Sequence, residues 1–165
     1  RLLGRERIAQ SLGLDSLLTT RAFFQLKADP DLAARYRSGN TSEREAIMEA
    51  LERRGTPEIR DVSGPHQEGI EWYLTVSRLC EIAEEVMDLD VFTISSGPVA
   101  KQNWNRVAFK GGSEPGVLNL TAALRDHEGA VACISMTINA AGRVNEQKAS
   151  GLFARLARQL AEAGE

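Results

Sequence analysis

Apolar residues recur at helical spacing through the first part of the chain and at alternate positions through much of the rest. The sequence therefore divides into a helical part, 1–90, and a sheet part closed by a helix, 91–165. Residues 4–12 have helical spacing and stop at Gly13. A second helix starts near Thr20, carries Phe23, Phe24 and Leu26 as its apolar positions, and ends before Asp29-Pro30. That pair opens the next helix, with Asp29 as N-cap and Pro30 at the first helical position, running to about Tyr36 before Gly39. Ser42 and Glu45 have capping-box spacing ahead of Ala46, Ile47, Ala50 and Leu51, and Gly55 is the stop. Residues 56–69, rich in Pro, Gly and Ser, read as a loop. Thr75 or Ser77 then caps a helix that presents Leu79, Ile82, Ala83, Val86 and Met87 on one face.

From Asp88 onward the period shortens to two. Residues 104–111 and 117–125 read as strands joined by a short Gly/Pro turn, and 130–139 is a third strand after the turn Asp126-His127-Glu128-Gly129, which makes an antiparallel meander. In the third strand Ala132, Ile134, Met136 and Ile138 point one way and Val131, Cys133, Ser135 and Thr137 the other. Neither face is strongly polar, so both are expected to be covered. A helix over about 145–163 closes the chain, and Leu152, Phe153, Leu156 and Leu160 form the apolar stripe expected to lie on the sheet.

Composition narrows the partners. With 165 residues, 42% of them hydrophobic, the chain has enough apolar material for a core. Twenty basic residues against 23 acidic ones give a net charge of −3 without a basic block, which argues against nucleic acid. No run reaches the roughly 18 to 20 apolar residues of a membrane span, and residues 1–12 carry charges throughout. A chain that begins Arg-Leu-Leu-Gly, without an initiator Met, is expected to have lost its natural start, so the compartment stays open. Cys80 and Cys133 are read as two buried, inert thiols, with a Cys80–Cys133 disulfide as the alternative. His66 and His127 sit in turns with no partner at zinc-site spacing, so no metal and no organic cofactor is expected.

Candidate chemistry concentrates in Val107-Ala108-Phe109-Lys110-Gly111-Gly112-Ser113-Glu114, where a strand delivers a lysine into two glycines. Glycines let backbone N–H groups approach a ligand closely, and the lysine adds a fixed positive charge beside them, a combination suited to an anionic acyl substrate. A tetrahedral intermediate needs N–H donors aimed at its oxyanion, each commonly worth about 3 to 4 kcal/mol, and the N–H of Ser113 is a candidate donor.

This arrangement, Lys110-Gly111-Gly112-Ser113 on the first of three terminal strands before a long final helix, resembles the second half of class A β-lactamases and their penicillin-binding relatives, whose third motif is Lys-Thr/Ser-Gly. Leu18 to Phe24 and Ile70 to Trp72 resemble the texture of β-lactamase-like serine hydrolases of actinobacteria. The resemblance implies an α+β fold of the β-lactamase/transpeptidase type, a three-layer arrangement with an antiparallel sheet flanked by helices, incomplete in this chain. Residues 1–165 would be the C-terminal portion of one such domain. It implies a serine acyl hydrolase that forms an acyl-enzyme with a β-lactam, ester or related acyl substrate, in a secreted or cell-envelope setting. Lys110 would hold the substrate carboxylate and tune the field around the nucleophile, Ser113 would give the second oxyanion N–H, and Gly111, Gly112, Ser113 and Asn119 would line the substrate.

Several features depart from the family. Gly111 stands where it has a hydroxyl residue, leaving the Ser113 hydroxyl as a substitute, and Asn119 and Thr121 stand near the position of a supporting arginine. No Ser-x-x-Lys, Ser-Asp-Asn or Glu-x-x-Leu-Asn occurs. The nucleophile is therefore expected in a preceding segment of the same domain, and this chain alone is expected to be inactive. The alternatives are a non-catalytic binding module that keeps the fold, or an accessory hydrolase of β-lactam biosynthesis with weak activity. Trp104 and Phe109 read as packing residues, Glu71 as a surface or helix-start carboxylate, Ser95-Ser96-Gly97 as an ordinary loop, and Glu81, Glu84 and Glu85 as a solvated helix face.

Overall fold

A computed structural model of the chain describes residues 18–62 and 68–163. The helix expected over 4–12 and the turn around His66 lie outside the described residues. The chain forms two compact units, Arg1–Trp72 and Tyr73–Glu165, so the helix expected at the end of the helical part belongs with the sheet.

In the first unit, helices α1 (Thr20–Lys27), α2 (Pro30–Ser38) and α3 (Thr41–Glu52) enclose a core of Ala22, Phe23, Leu26, Leu32, Ala33, Tyr36, Ile47 and Leu51. Each start is capped by a side chain that accepts an N–H otherwise left without a partner. Thr19 Oγ1 takes the N–H of Ala22, and Asp29 Oδ1 takes that of Leu32. The capping box of α3 is Asn40 with Glu43, not Ser42 with Glu45. Asn40 Oδ1 accepts from Glu43 N at 3.0 Å and Glu43 Oε2 accepts from Asn40 N at 2.7 Å, which starts the helix earlier than expected. At the other end of α3, Gln25 Nε2 donates to the carbonyls of Leu51, Arg54 and Gly55, so a buried side chain of α1 closes the terminus of its neighbour.

The second unit has three layers. Strands β1 (Arg106–Glu114), β2 (Val117–Arg125) and β3 (Val131–Asn139) form an antiparallel meander in the order β1-β2-β3. Pro115-Gly116, with Gly116 at φ +85°, makes the first turn, and Asp126 Oδ1 accepts the N–H groups of Glu128 and Ala130 in the second. Helix α4 (Val76–Val86), capped by Thr75, lies on one face with Met87 buried among Ala108 and Ala123. Helix α5 (Glu146–Ala163) lies on the other. The α+β class and the helix-flanked antiparallel sheet are as expected.

Two expectations are corrected in this unit. Cys80 of α4 and Cys133 of β3 form a disulfide across 53 residues of sequence, not two free thiols. Their Cα atoms stand 5.6 Å apart because α4 crosses the sheet opposite Ala123, the cross-strand partner of Cys133. The buried side of α5 is Ala149, Phe153 and Ala157, while Leu152, Leu156 and Leu160 remain 38–40% exposed. Alanines flanking Phe153 bring the helix backbone close to Leu118, Leu120, Ala122 and Leu124, and the leucine stripe turns aside.

Candidate functional site

The register of the sheet determines what the Lys-Gly-Gly-Ser stretch presents. β1 does not end at Gly111. It runs on to Glu114, and Lys110, Gly111, Gly112 and Ser113 pair with Thr121, Leu120, Asn119 and Leu118 of β2. The glycines are thus strand residues rather than turn residues, because unbroken pairing with β2 holds them extended.

Backbone direction follows from the neighbouring ladder. Asp126 N donates to Ala130 O at 3.0 Å and Ala140 N to Gly116 O at 2.8 Å, so even-numbered positions of β2 bond to β3 and odd-numbered positions bond to β1. Their partners in β1 are Arg106, Ala108, Lys110, Gly112 and Glu114. Val107, Phe109, Gly111 and Ser113 therefore aim their N–H and C=O groups at the outer edge of β1, where no further strand pairs among the described residues. The edge carries two adjacent outward N–H groups, of Gly111 and Ser113, beside a lysine.

Side chains alternate in the same way. Lys110 and Gly112 share the α4 face with Asn119, Thr121, Ser135 and Thr137, whereas Gly111 and Ser113 share the α5 face with Phe109. The Ser113 hydroxyl is on the side opposite the Lys110 ammonium and does not stand beside it. Lys110 is exposed, and its Nζ donates to the carbonyl of Gly111, one of the groups on the open edge.

Asn119 and Thr121 are engaged inside the sheet. Asn119 Nδ2 donates to Thr137 Oγ1 at 2.9 Å and to Met136 O at 3.3 Å, and Asn119 Oδ1 accepts from Thr121 Oγ1 at 2.9 Å. Thr121 Oγ1 also meets Ser135 Oγ at 2.8 Å. A hydroxyl has one proton, so with Thr121 donating to Asn119 the Ser135 hydroxyl donates to Thr121. The result is a polar ladder across β2 and β3 that braces the face beside Lys110. Asn119 is placed as a support rather than as a group aimed at the β1 edge.

The glycines have different surroundings. A Cβ on Gly111 would meet the Phe109 ring at 3.1 Å and Leu120 at 3.5 Å, whereas a Cβ on Gly112 would meet only Lys110 Nζ at 4.0 Å. The Phe109 ring itself rests on Gly97, at φ +54°, where any Cβ would drive into it, and lies edge-on to Phe153 at 6.4 Å. Ser95-Ser96-Gly97 is therefore a packing turn, with Ser95 Oγ accepting the N–H of Gly97. Trp104 is buried in the same core.

Sequence reasoning missed the ionic structure. Glu71 is not a surface carboxylate. Its Oε1 accepts from Lys27 Nζ at 2.6 Å, with the Lys27 side chain fully buried and that of Glu71 9% exposed, and Lys27 lies 5.0 Å from the centroid of the Phe23 ring, on which Trp72 stacks. In the other unit Arg125 holds both carboxylate oxygens of Asp88, which keeps that carboxyl below its ordinary range and raises the Arg125 guanidinium. Arg106 Nε donates to the Met87 carbonyl at 2.7 Å, so the end of α4 is fastened to the first residue of β1. Among the described residues no group of His, Cys, Asp and Glu is placed to hold a metal ion, and no helix is long and apolar enough to cross a membrane. Comparison of the chain with models of known protein families finds no match, and neither does comparison with curated proteins.

Proposed function

We propose that this chain is part of a serine acyl hydrolase of the β-lactamase and penicillin-binding type, in which β1 forms one wall of the substrate site. The observation that carries this reading is the outer edge of β1, unpaired with any further strand among the described residues, where the N–H groups of Gly111 and Ser113 point outward beside Lys110. A serine from outside this chain would attack the acyl carbonyl, forming its Oγ–C bond and giving its hydroxyl proton to a base also outside this chain as the carbonyl π electrons move onto oxygen. The Ser113 N–H would stabilise that oxyanion together with the nucleophile's own N–H. Collapse would expel the lactam nitrogen or alkoxide with a proton and leave the acyl-enzyme, which water then cleaves. Lys110 would supply the positive field for the substrate carboxylate. The helix-flanked antiparallel sheet agrees with the β-lactamase/transpeptidase arrangement, and the finer fold assignment belongs to the same proposal.

The test is the intact mass of the complete natural protein after incubation with a fluorescent penicillin and, separately, with an activated ester. A covalent adduct that disappears in Lys110→Ala is the expected result. No adduct from either probe in a folded protein would overturn the reading in favour of a non-catalytic binding module.

A further inference from the structure

Helix α4 is attached to the sheet unevenly. Its C-terminal end is held three ways, by Met87 buried against Ala108 and Ala123, by Arg106 on the Met87 carbonyl, and by Arg125 on Asp88. Along its length no residue is fully buried. Leu79, Ile82, Ala83 and Val86 are each half-buried, in contrast to Ala149, Phe153 and Ala157 of α5. Besides this half-buried packing there is a covalent attachment, the bond from Cys80 in the first half of α4 to Cys133 in β3. Both cysteines are half-buried, so the bond is not sealed in the core.

We infer that the Cys80–Cys133 disulfide is a redox latch for α4, opened by a dithiol reductant to release the helix from the sheet face that carries Lys110, while β1–β3 and α5 stay folded. The exchange balances without any group from the site. One thiolate of the dithiol attacks a Cys sulfur, the S–S bond breaks, and the other Cys leaves as a thiolate that takes up a proton. The second thiol of the reductant then attacks the mixed disulfide, leaving two Cys thiols and the oxidised dithiol, with the reductant supplying both electrons. With the latch open, α4 keeps its fastening at Met87 and Asp88 and the half-buried packing of its apolar face, and its Cys80 half pivots away from β3 about the fastened end. α4 supplies a hinge at one end and a reducible clasp on the other, which a helix held only by buried apolar contacts would not.

Hydrogen exchange of the full chain, oxidised and in dithiothreitol, tests this. Reduction should lower the protection of Val76–Val86 by roughly tenfold or more beyond any loss in β2 and α5. Cys80→Ser and Cys133→Ser should each show the reduced pattern without reductant. Alkylation before and after reduction counts the thiols, and two free thiols in the oxidised protein would overturn the inference. So would unchanged protection of α4, or an equal loss of protection in α4, β2 and α5, which would make the bond a general staple.

Discussion

Two adjacent glycines in β1 face different demands. Gly111 borders Phe109 and Leu120, so a hydroxyl residue at that position, as the third motif of the proposed β-lactamase type would have, would press on a ring that is itself fixed between Gly97 and Phe153. Gly112 has open space on the Lys110 face. Gly111→Ser is therefore expected to destabilise the protein by about 1 kcal/mol, whereas Gly112→Ala should leave stability within about 0.5 kcal/mol. If β1 walls a substrate site, the alanine methyl at 112 should still slow acyl-enzyme formation roughly tenfold by holding the ligand off the strand. Thermal denaturation and adduct kinetics on the same samples separate the effects. A Gly112→Ala protein acylated at the parental rate would remove that face of the strand from substrate contact. Asp29 shows a residue-level effect of another kind. The Arg54 guanidinium, and then the Leu32 N–H, hold its carboxyl below the ordinary value of 3.8. A folded pKa below the unfolded one gives stability that is present above the unfolded value and is lost as pH falls through the folded value. Asp29→Asn keeps a capping oxygen for Leu32 but cannot titrate, so its stability should decline less than that of the parent below about pH 4. Parallel pH profiles would exclude Asp29 as a source of acid sensitivity.

At the scale of elements, every helix and strand expected within the described residues is present, and the differences lie in ends and faces. Caps and turns are local chemistry, so Asp29, Thr75 and Pro115-Gly116 announce themselves, and even the displaced box at Asn40 and Glu43 uses the expected reciprocal bonding. Which face a helix buries is decided by its partner. The leucines of α5 form the stronger stripe in sequence, yet the close approach allowed by Ala149 and Ala157 places Phe153 in the core. The disulfide was open to view only as two cysteines, because its pairing depends on where α4 crosses β3. In the candidate site, Lys110 and the glycines were legible as a motif. Their strand edge, the opposite facing of Lys110 and Ser113, and the use of Asn119 within the sheet depend on register, which a list of residue types does not contain. Lys27 and Glu71, separated by 44 positions, carried no sequence signal for the same reason. Their contact has a measurable signature. Glu71→Gln leaves a fully buried ammonium short of its carboxylate and should cost the first unit about 3 kcal/mol, while a Lys27→Met, Glu71→Leu double variant should recover most of that loss. A double variant as unstable as the single one would show that the two changes do not compensate and that burial of the charge is not the source of the loss.

Among the described residues each unit has its own apolar packing, helix against helix in Arg1–Trp72 and on both faces of the sheet in Tyr73–Glu165, and the disulfide lies entirely within the second. Cross-linking restricts only the unfolded chain that contains it. Closing a loop of 53 residues is worth about 4 kcal/mol in the chain-entropy account, and none of that is owed to the first unit. Urea denaturation should therefore show two transitions, only one of which moves to lower urea when dithiothreitol is added. Tryptophan fluorescence distinguishes them, because Trp72 stacks on Phe23 in the first unit and Trp104 is buried in the second. In Trp72→Phe the remaining signal should follow the reductant-sensitive step, and in Trp104→Phe the insensitive one. A single transition, displaced as a whole by reductant in both variants, would mean that the two units unfold as one cooperative body, and that the stabilisation from the Cys80–Cys133 bond is shared along the entire chain rather than confined to the sheet.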